Sequence, residues 1–461
     1  MISGSPAIVP PLDPTYRPAI LSNLEFRHQA EESGDAVPLH IGLARPDGSI
    51  STYKTVVFAE GSNLAGRNLP YIERLLKFLL WQRGASTVLI SGPDSTIRRL
   101  QDIYSVGGAR AFDVDFMTRV YETPFTIQRV ASVPETREPT VALGRHLQGN
   151  RIGFDLGASD YKISAVIDGD PVYTDEFPWA PRDATDLDYH YGRISAGLRK
   201  AAQHLSSVDA IGGSSAGVWI DDRVRVASLF RGLSRAEFDE AATDLFVRLR
   251  DEWGVPLNVV NDGEVTALAG SMSLGTNGVL GVAMGSSEAA GYVTRDGTIT
   301  NWLNELAFAP IDFQEDAPID EWSGDVGCGV QYFCQTGVVR LAKRAGIDLD
   351  PRLTAAQQLV EVQNLMAAGD PRVPDIYNTI GVWFGYALAH YAEFYEIDHV
   401  LVLGRVTSGI GGEIIVDNAR RVLDQEFPEL LMELHLPDER MKRVGQSVAA
   451  ASLPQLHAEE T

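Results

Sequence analysis

Cysteine is almost absent: the 461 residues include two, Cys328 and Cys334. Two thiols cannot build a disulfide scaffold, and these read as plain buried side chains. No apolar run approaches the ~20 residues that span a bilayer. The opening MISGSPAIVPPLDPTYRP also lacks the charged and apolar regions of a signal peptide. The expectation is a cytoplasmic protein with no membrane partner. No G-x-x-x-x-G-K-[ST] pattern occurs, which excludes the usual P-loop. Basic residues are scarce as well, and the net charge is −23. Residues 1–150 hold 15 Lys+Arg against 15 Asp+Glu, whereas 151–461 hold 24 against 47. Such a chain has no basic stripe to displace phosphate counterions, so nucleic acid is not an expected partner.

What is present is ample apolar material, 44% of the chain, for several α/β cores. Residues 1–35 carry five prolines and no clear period, and read as an arm. From 36 to 150 an accessory α/β domain is expected. It contains a hairpin turning at Pro46-Asp47-Gly48, an amphipathic helix YIERLLKFLLWQRG ended by Gly84, and a buried strand STVLISGP. A second α/β segment begins at 151: a hairpin over 152–177, a helix near 187–205, strand VDAIGG, a strand pair near 218–228, a helix over 235–253, then strand LNVVND. The order hairpin, helix, buried strand thus occurs at 39–92 and again at 152–215. It reads either as an internal repeat with a degenerate first copy or as the generic likeness of two α/β units. In the repeat reading Gly42 stands where the second copy has Asp155, and the first copy is an accessory or dimer-forming lobe.

The chemistry-bearing stretches lie in the later two-thirds. RIGFDLGASDYK sets an acid, a glycine turn, a hydroxyl and a cation close together as Asp155, Gly157, Ser159 and Lys162. Backbone N–H groups in such a turn wrap phosphate oxygens, and a strand-end carboxylate holds Mg²⁺ through water. The plainer reading is a hairpin with a polar tip. PLNVVNDGEVTALAG puts Asn261-Asp262 between a buried strand and a small-residue helix. There Asp262 is either a general base or a helix N-cap. VLGVAMGSSEAAGYV is a strand pair around Gly285-Ser286-Ser287. DHVLVLGRVTSGIGGEIIVDNARRVL runs from a strand through a glycine-rich turn at Gly404 and Gly409 into a helix.

In this order the stretches resemble the phosphate 1, connecting, phosphate 2 and adenosine segments of the actin-like ATPase and sugar kinase superfamily. Over about 151–450 the resemblance is to the ROK sugar kinases, the glucokinase-like group. It implies an α/β fold of two ribonuclease H-like lobes around a cleft, preceded here by the additional N-terminal α/β lobe. Residues 151–265 with a C-terminal helix near 440–453 would form the first kinase lobe, and 266–439 the second. It also implies ATP and Mg²⁺ and a sugar or polyol substrate, while the extra N-terminal lobe offers an interface for a homo-oligomer, expected to be a dimer. Asp262 would be the base and Asn261 would bind a neighbouring hydroxyl. Glu305, in GYVTRDGTITNWLNELAF, would accept from another hydroxyl, and Ser215, in IGGSSAGVW, would lie near the sugar. Asp155 (through Mg²⁺), Gly157, Ser159, Lys162, Gly285, Ser286, Gly404 and Gly409 would serve phosphate and nucleotide.

Departures from that family carry their own expectations. Ala158, Ser159 and Lys162 depart from its paired glycines and Thr-Lys. Glu288 puts an acid beside the expected phosphates unless it faces Mg²⁺ or points away, and motivates an alternative reading as a non-catalytic sugar or nucleotide sensor. Phe308 replaces the family's motif histidine, and SGDVGCGVQYFC offers only Cys328 and Cys334, so the family's zinc is not expected. A ROK-type repressor would need a basic N-terminal winged helix. Gly213-Ser214-Ser215-Ala216-Gly217 matches a hydrolase elbow, but strand alternation follows it where a helix must begin. His390, in an aromatic-rich helix, reads as an interior residue.

Overall fold

The structure is a computed structural model that describes residues 4–138, 144–157, 160–437 and 439–456, with side chains of 439–444 outside the description. The chain forms two compact units. One comprises Met1–Pro139, Val282–Ala289 and Trp302–Leu436, the other Thr140–Gly281, Ala290–Asn301 and Pro437–Thr461.

The chain begins with α1 (Ala19–Glu32), β1 (Ala36–Ala44), β2 (Ile50–Phe58), α2 (Asn68–Arg83), β3 (Thr87–Ser91), α3 (Asp94–Ile103), α4 (Ala111–Tyr121) and β4 (Thr126–Arg129). The strands form a sheet of order β2-β1-β3-β4. Within the segment read as an arm, 1–35, lies α1. This helix buries Ile20, Leu21 and Phe26 and stacks Phe26 on Tyr71 at 4.0 Å. Buried Asn23 interrupts its apolar stripe, which is why no period is visible in the sequence.

Next come β5 (Asn150–Leu156), β6 (Asp160–Ile167), β7 (Asp170–Pro178), α5 (Leu187–Ala202), β8 (Ala210–Ser215), β9 (Val218–Ile220), β10 (Arg223–Val226), α6 (Arg235–Glu237), α7 (Leu245–Trp253), β11 (Leu257–Asn261) and α8 (Asp262–Leu274). A five-stranded sheet has the order β11-β8-β5-β6-β7. Strands β11, β8 and β5 run parallel, and β5, β6 and β7 form an antiparallel meander.

The two segments differ in topology, which favours the generic likeness over the degenerate repeat. β1 pairs antiparallel with β3, whereas β5 pairs parallel with β8. The cause is strand parity. Two strands precede α2 but three precede α5, because Asp168-Gly169 turns the chain once more into β7. The odd strand reverses the direction of entry into the helix, and β8 therefore returns parallel to β5.

The remaining elements are β12 (Val279–Met284), β13 (Glu288–Val293), α9 (Gln335–Arg344), α10 (Ala355–Ala367), α11 (Pro374–Tyr391), β14 (His399–Leu403), α12 (Ile410–Glu426), β15 (Glu433–His435) and α13 (Glu439–Ala451). A sheet of order β13-β12-β14-β15 uses four of them. Alternation along β5 divides its side chains between two faces. Ile152, Phe154 and Leu156 enter a core with Ile194, Leu198 and Phe246, and Gly153 and Asp155 take the opposite face. There α13 lies so close that a Cβ on Gly153 would overlap the Ser447 carbonyl, and one on Gly212 the Ala450 carbonyl. Among the described residues no helix is long and apolar enough to cross a membrane.

Candidate active site

Three parallel strands bring their C-terminal ends into one row. Leu156 of β5 pairs with Ser215 of β8, and Ser215 with Asn261 of β11. Carboxyl ends of parallel strands are where open α/β sheets bind ligands. One residue earlier, Asp155 sits beside Ser214 and opposite Lys162 of β6. Neighbours in register share a face, and the Ser214 hydroxyl donates to Asp155 Oδ1 at 2.7 Å. Ser214 was not singled out from the sequence; its signal is register, since the strand residue next to Ser215 faces the other way.

Asn261 caps α8. Its Oδ1 accepts from Gly263 N at 2.7 Å, and its Nδ2 donates to the Gly217 carbonyl at 2.8 Å. The N-cap role weighed for Asp262 therefore belongs to Asn261. Asp262 is the first helical residue, partly exposed, with Oδ1 accepting from Gly263 N at 3.0 Å. Glycine at 263 is required, since a Cβ there would overlap the Ala290 carbonyl. Ser215 is buried, and its hydroxyl donates to the Ala216 carbonyl at 3.5 Å. A strand pair, β9 and β10, follows Gly217, so the hydrolase elbow has no helix to open.

Burial and charge tune the two aspartates. Desolvation raises Asp155, the Ser214 hydrogen bond lowers it, Asp262 raises it and Lys162 lowers it, leaving it at about 6. Desolvation likewise raises Asp262 against the hydrogen bond from Gly263. Asp262 and Lys162 thus act on Asp155 with opposite sign. Gly157 closes the loop, its N–H donating to the Asp160 carbonyl at 3.0 Å and its carbonyl accepting from Trp179 Nε1 at 2.8 Å. Ser159 lies outside the described residues.

In the other unit, Gly285 and Ser286 form the expected turn after β12, with Ser286 exposed and the Gly285 carbonyl accepting from Gln335 N at 2.9 Å. Gly404, at φ 103°, follows β14, where a Cβ would overlap the Met284 backbone. Gly409, at φ 67°, caps α12. Only glycine takes such positive φ without strain. Glu305 precedes a short 3₁₀ turn, and its N–H donates to the Trp81 carbonyl at 3.0 Å.

Glu288 opens β13 directly after the turn and is buried. It is 3% exposed, and its Oε1 accepts from the Tyr391 hydroxyl at 3.4 Å. Desolvation, set against that hydrogen bond and reinforced by Glu305, pushes it up to about 8. Burial thus disfavours the charged form that the sequence reading sets beside the phosphates.

The segment around Cys328 is held by ion pairs that the sequence did not reveal. Arg74 of α2 grips Asp325 with two hydrogen bonds of 2.9 and 2.7 Å, Arg110 adds a contact at 2.7 Å, and Lys77 lies 3.5 Å away while binding Asp113 at 2.8 Å. Desolvation alone would raise Asp325, but Arg74, Lys77 and Arg110 hold it below the usual carboxylate range. Burial pushes the Cys328 thiol up to about 12. Phe308 packs on Trp81 at 4.4 Å. His390 stacks edge-on against Phe78 at 4.6 Å, and burial lowers it to about 3.

No protein-family model matches the sequence, and no curated protein is significantly similar to it. Solved structures are similar in fold. A ROK family glucokinase from Streptomyces griseus, in complex with glucose and AMPPNP, aligns with a TM-score of 0.52 at 21% identity, over 66% of this chain and 99% of that one. A ROK hexokinase from Thermus thermophilus aligns at 0.51 and 16% identity, over 65% and 97%. A ROK family transcriptional regulator, a homolog of the E. coli MLC protein, aligns at 0.52 and 16%, over 67% and 79%. The chain has the α/β fold of the ROK sugar kinases, and about a third of it lies outside the match.

Proposed function

We propose that this protein is an ATP-dependent kinase of a sugar or polyol hydroxyl. The observation that carries the reading is the strand-end row Leu156, Ser215 and Asn261, which sets Asp155, held by Ser214, and Asp262 at the carboxyl ends of the two strands that flank β8. Phosphoryl transfer needs positioning and charge stabilisation more than covalent chemistry. Asp262 takes the proton of the attacking hydroxyl. Its raised pKa makes it a better base, and the Gly263 N–H orients it. Asn261, fixed at both ends of its amide, holds the neighbouring hydroxyl, with Glu305 and Ser215 as further sugar contacts. Gly157, Lys162, Gly285 and Ser286 take the phosphates, and Gly404 and Gly409 the adenosine.

Asp155 fits Mg²⁺ in chemistry. It is a hard oxygen donor at a strand end, and its raised pKa reflects a carboxylate that a cation would stabilise. Bound Mg²⁺ would neutralise charge on the transferring phosphoryl group. Ser214 orients that carboxylate, and Lys162 adds positive charge on the same face.

Mg²⁺-dependent ADP release over hexoses, amino sugars and polyols, run beside Asp262→Asn, tests the proposal. Turnover on one substrate that falls about 10²–10⁴-fold in the variant is expected. Sugar binding by calorimetry with no turnover on any substrate would overturn the enzyme and establish the sensor. The burial of Glu288, which opposes its ionisation, favours the enzyme, since it weakens the reason to expect lost phosphate binding.

A further inference from the structure

Three side chains outside this machinery meet where β15 lies at the edge of its sheet. Parallel pairing sets His399 opposite Glu433 and Leu401 opposite His435. Glu433 and His435 are two apart on one strand and share its face. His399 Nδ1 lies 3.1 Å from His435 Nε2, and each of these nitrogens is 3.7 Å from Glu433 Oε2. The point equidistant from the three atoms is about 2.0 Å from each, the length of a Zn²⁺ bond to imidazole nitrogen or carboxylate oxygen.

A hydrogen bond between the two rings would account for the 3.1 Å separation. It would not place a carboxylate oxygen equally far from both nitrogens. The rings are inclined at 39° with centroids 5.3 Å apart, so they converge through their nitrogens and are not stacked. Both imidazoles are mostly buried, whereas Glu433 is 73% exposed. An ion therefore has a solvent-side entry, and water can complete its coordination.

We propose that His399, Glu433 and His435 bind one divalent transition-metal ion. Two imidazoles and a carboxylate favour Zn²⁺, Ni²⁺ or Cu²⁺ over Mg²⁺ or Ca²⁺. The ion ties the three-residue edge strand β15 to β14. This site is separate from the Cys328 segment, where no zinc is expected, and it does not depend on the kinase reading.

The test is titration of chelator-treated, desalted protein with Zn²⁺ by calorimetry and with Co²⁺ by visible absorption. One ion per chain is expected, with the intense bands of low-coordinate Co²⁺ and a rise in Tm on adding Zn²⁺. His399→Gln and His435→Gln should each weaken binding about tenfold or more and abolish the bands. Glu433→Gln alters an exposed side chain and cannot act through misfolding; it should weaken binding several-fold. Absence of binding by the native protein overturns the proposal, as does unchanged stoichiometry and affinity in Glu433→Gln or in the double histidine variant.

Discussion

Ser214 Oγ donates to Asp155 Oδ1 at 2.7 Å across a parallel strand pair that sets the two residues side by side. The hydrogen bond favours the charged carboxylate and opposes its desolvation. Asp155 must ionise to serve a cation, so activity should fall as pH drops through about 6. Ser214→Ala removes the opposing hydrogen bond, and the acidic limb of the kcat/KM profile should move up by about one pH unit, with activity at pH 8 within a few-fold of native. An unmoved limb would refute the positioning role of Ser214.

Asp325 ties α2 and α4 to the segment before Cys328 through Arg74, Lys77 and Arg110. Removing one partner of a buried charge network leaves uncompensated charge and costs about 3–5 kcal/mol. Asp325→Asn keeps the volume and should lose that much in urea unfolding. A loss below about 1 kcal/mol would mean that water or the remaining partners, Glu73 and Asp113, absorb the freed cations.

Local features were the legible ones. The strand carrying Asp155 near its end, the Asn261-Asp262 junction and the glycines at 404 and 409 each lie within one short stretch, where turn chemistry and periodicity act directly. Features joined only by long-range pairing were not. Ser214 is next to the expected Ser215, but which of the two meets Asp155 follows from register, and a one-residue shift turns a strand side chain to the other face. Asp325 is about 250 residues from Arg74, and His399 meets His435 only because β14 and β15 pair. The choice between repeat and generic likeness stayed open in the sequence because element order does not show strand direction, which depends here on one extra strand, β7.

Gly212 on β8 faces α13, where a Cβ would overlap the Ala450 carbonyl. Backbone cannot yield as a side-chain tip does, so Gly212→Ala should cost about 1–3 kcal/mol or more and loosen α13, seen as faster amide exchange over 446–451. Gly192, exposed in α5 with nothing within 4 Å of a built Cβ, is the control. Gly192→Ala should be neutral or stabilise by up to about 1 kcal/mol. Equal effects at the two positions would refute the close approach of α13.

Glu288 gives a stability prediction of definite sign. Its folded pKa of about 8 exceeds the unfolded value near 4.5 because burial opposes ionisation. Below pH 4.5 both states are protonated and the group contributes no pH dependence. Between about 4.5 and 8 the unfolded chain ionises while the folded chain keeps its proton, so stability falls as pH rises; above 8 both are ionised and the loss is complete. The fall should amount to a few kcal/mol. Glu288→Gln keeps the shape of the protonated acid and has no charge to lose. Its unfolding free energy should match the native protein's near pH 5 and exceed it by a few kcal/mol at pH 8. Parallel pH profiles for the two proteins would mean that Glu288 ionises freely in the folded state, and its charge would then be back beside Ser286.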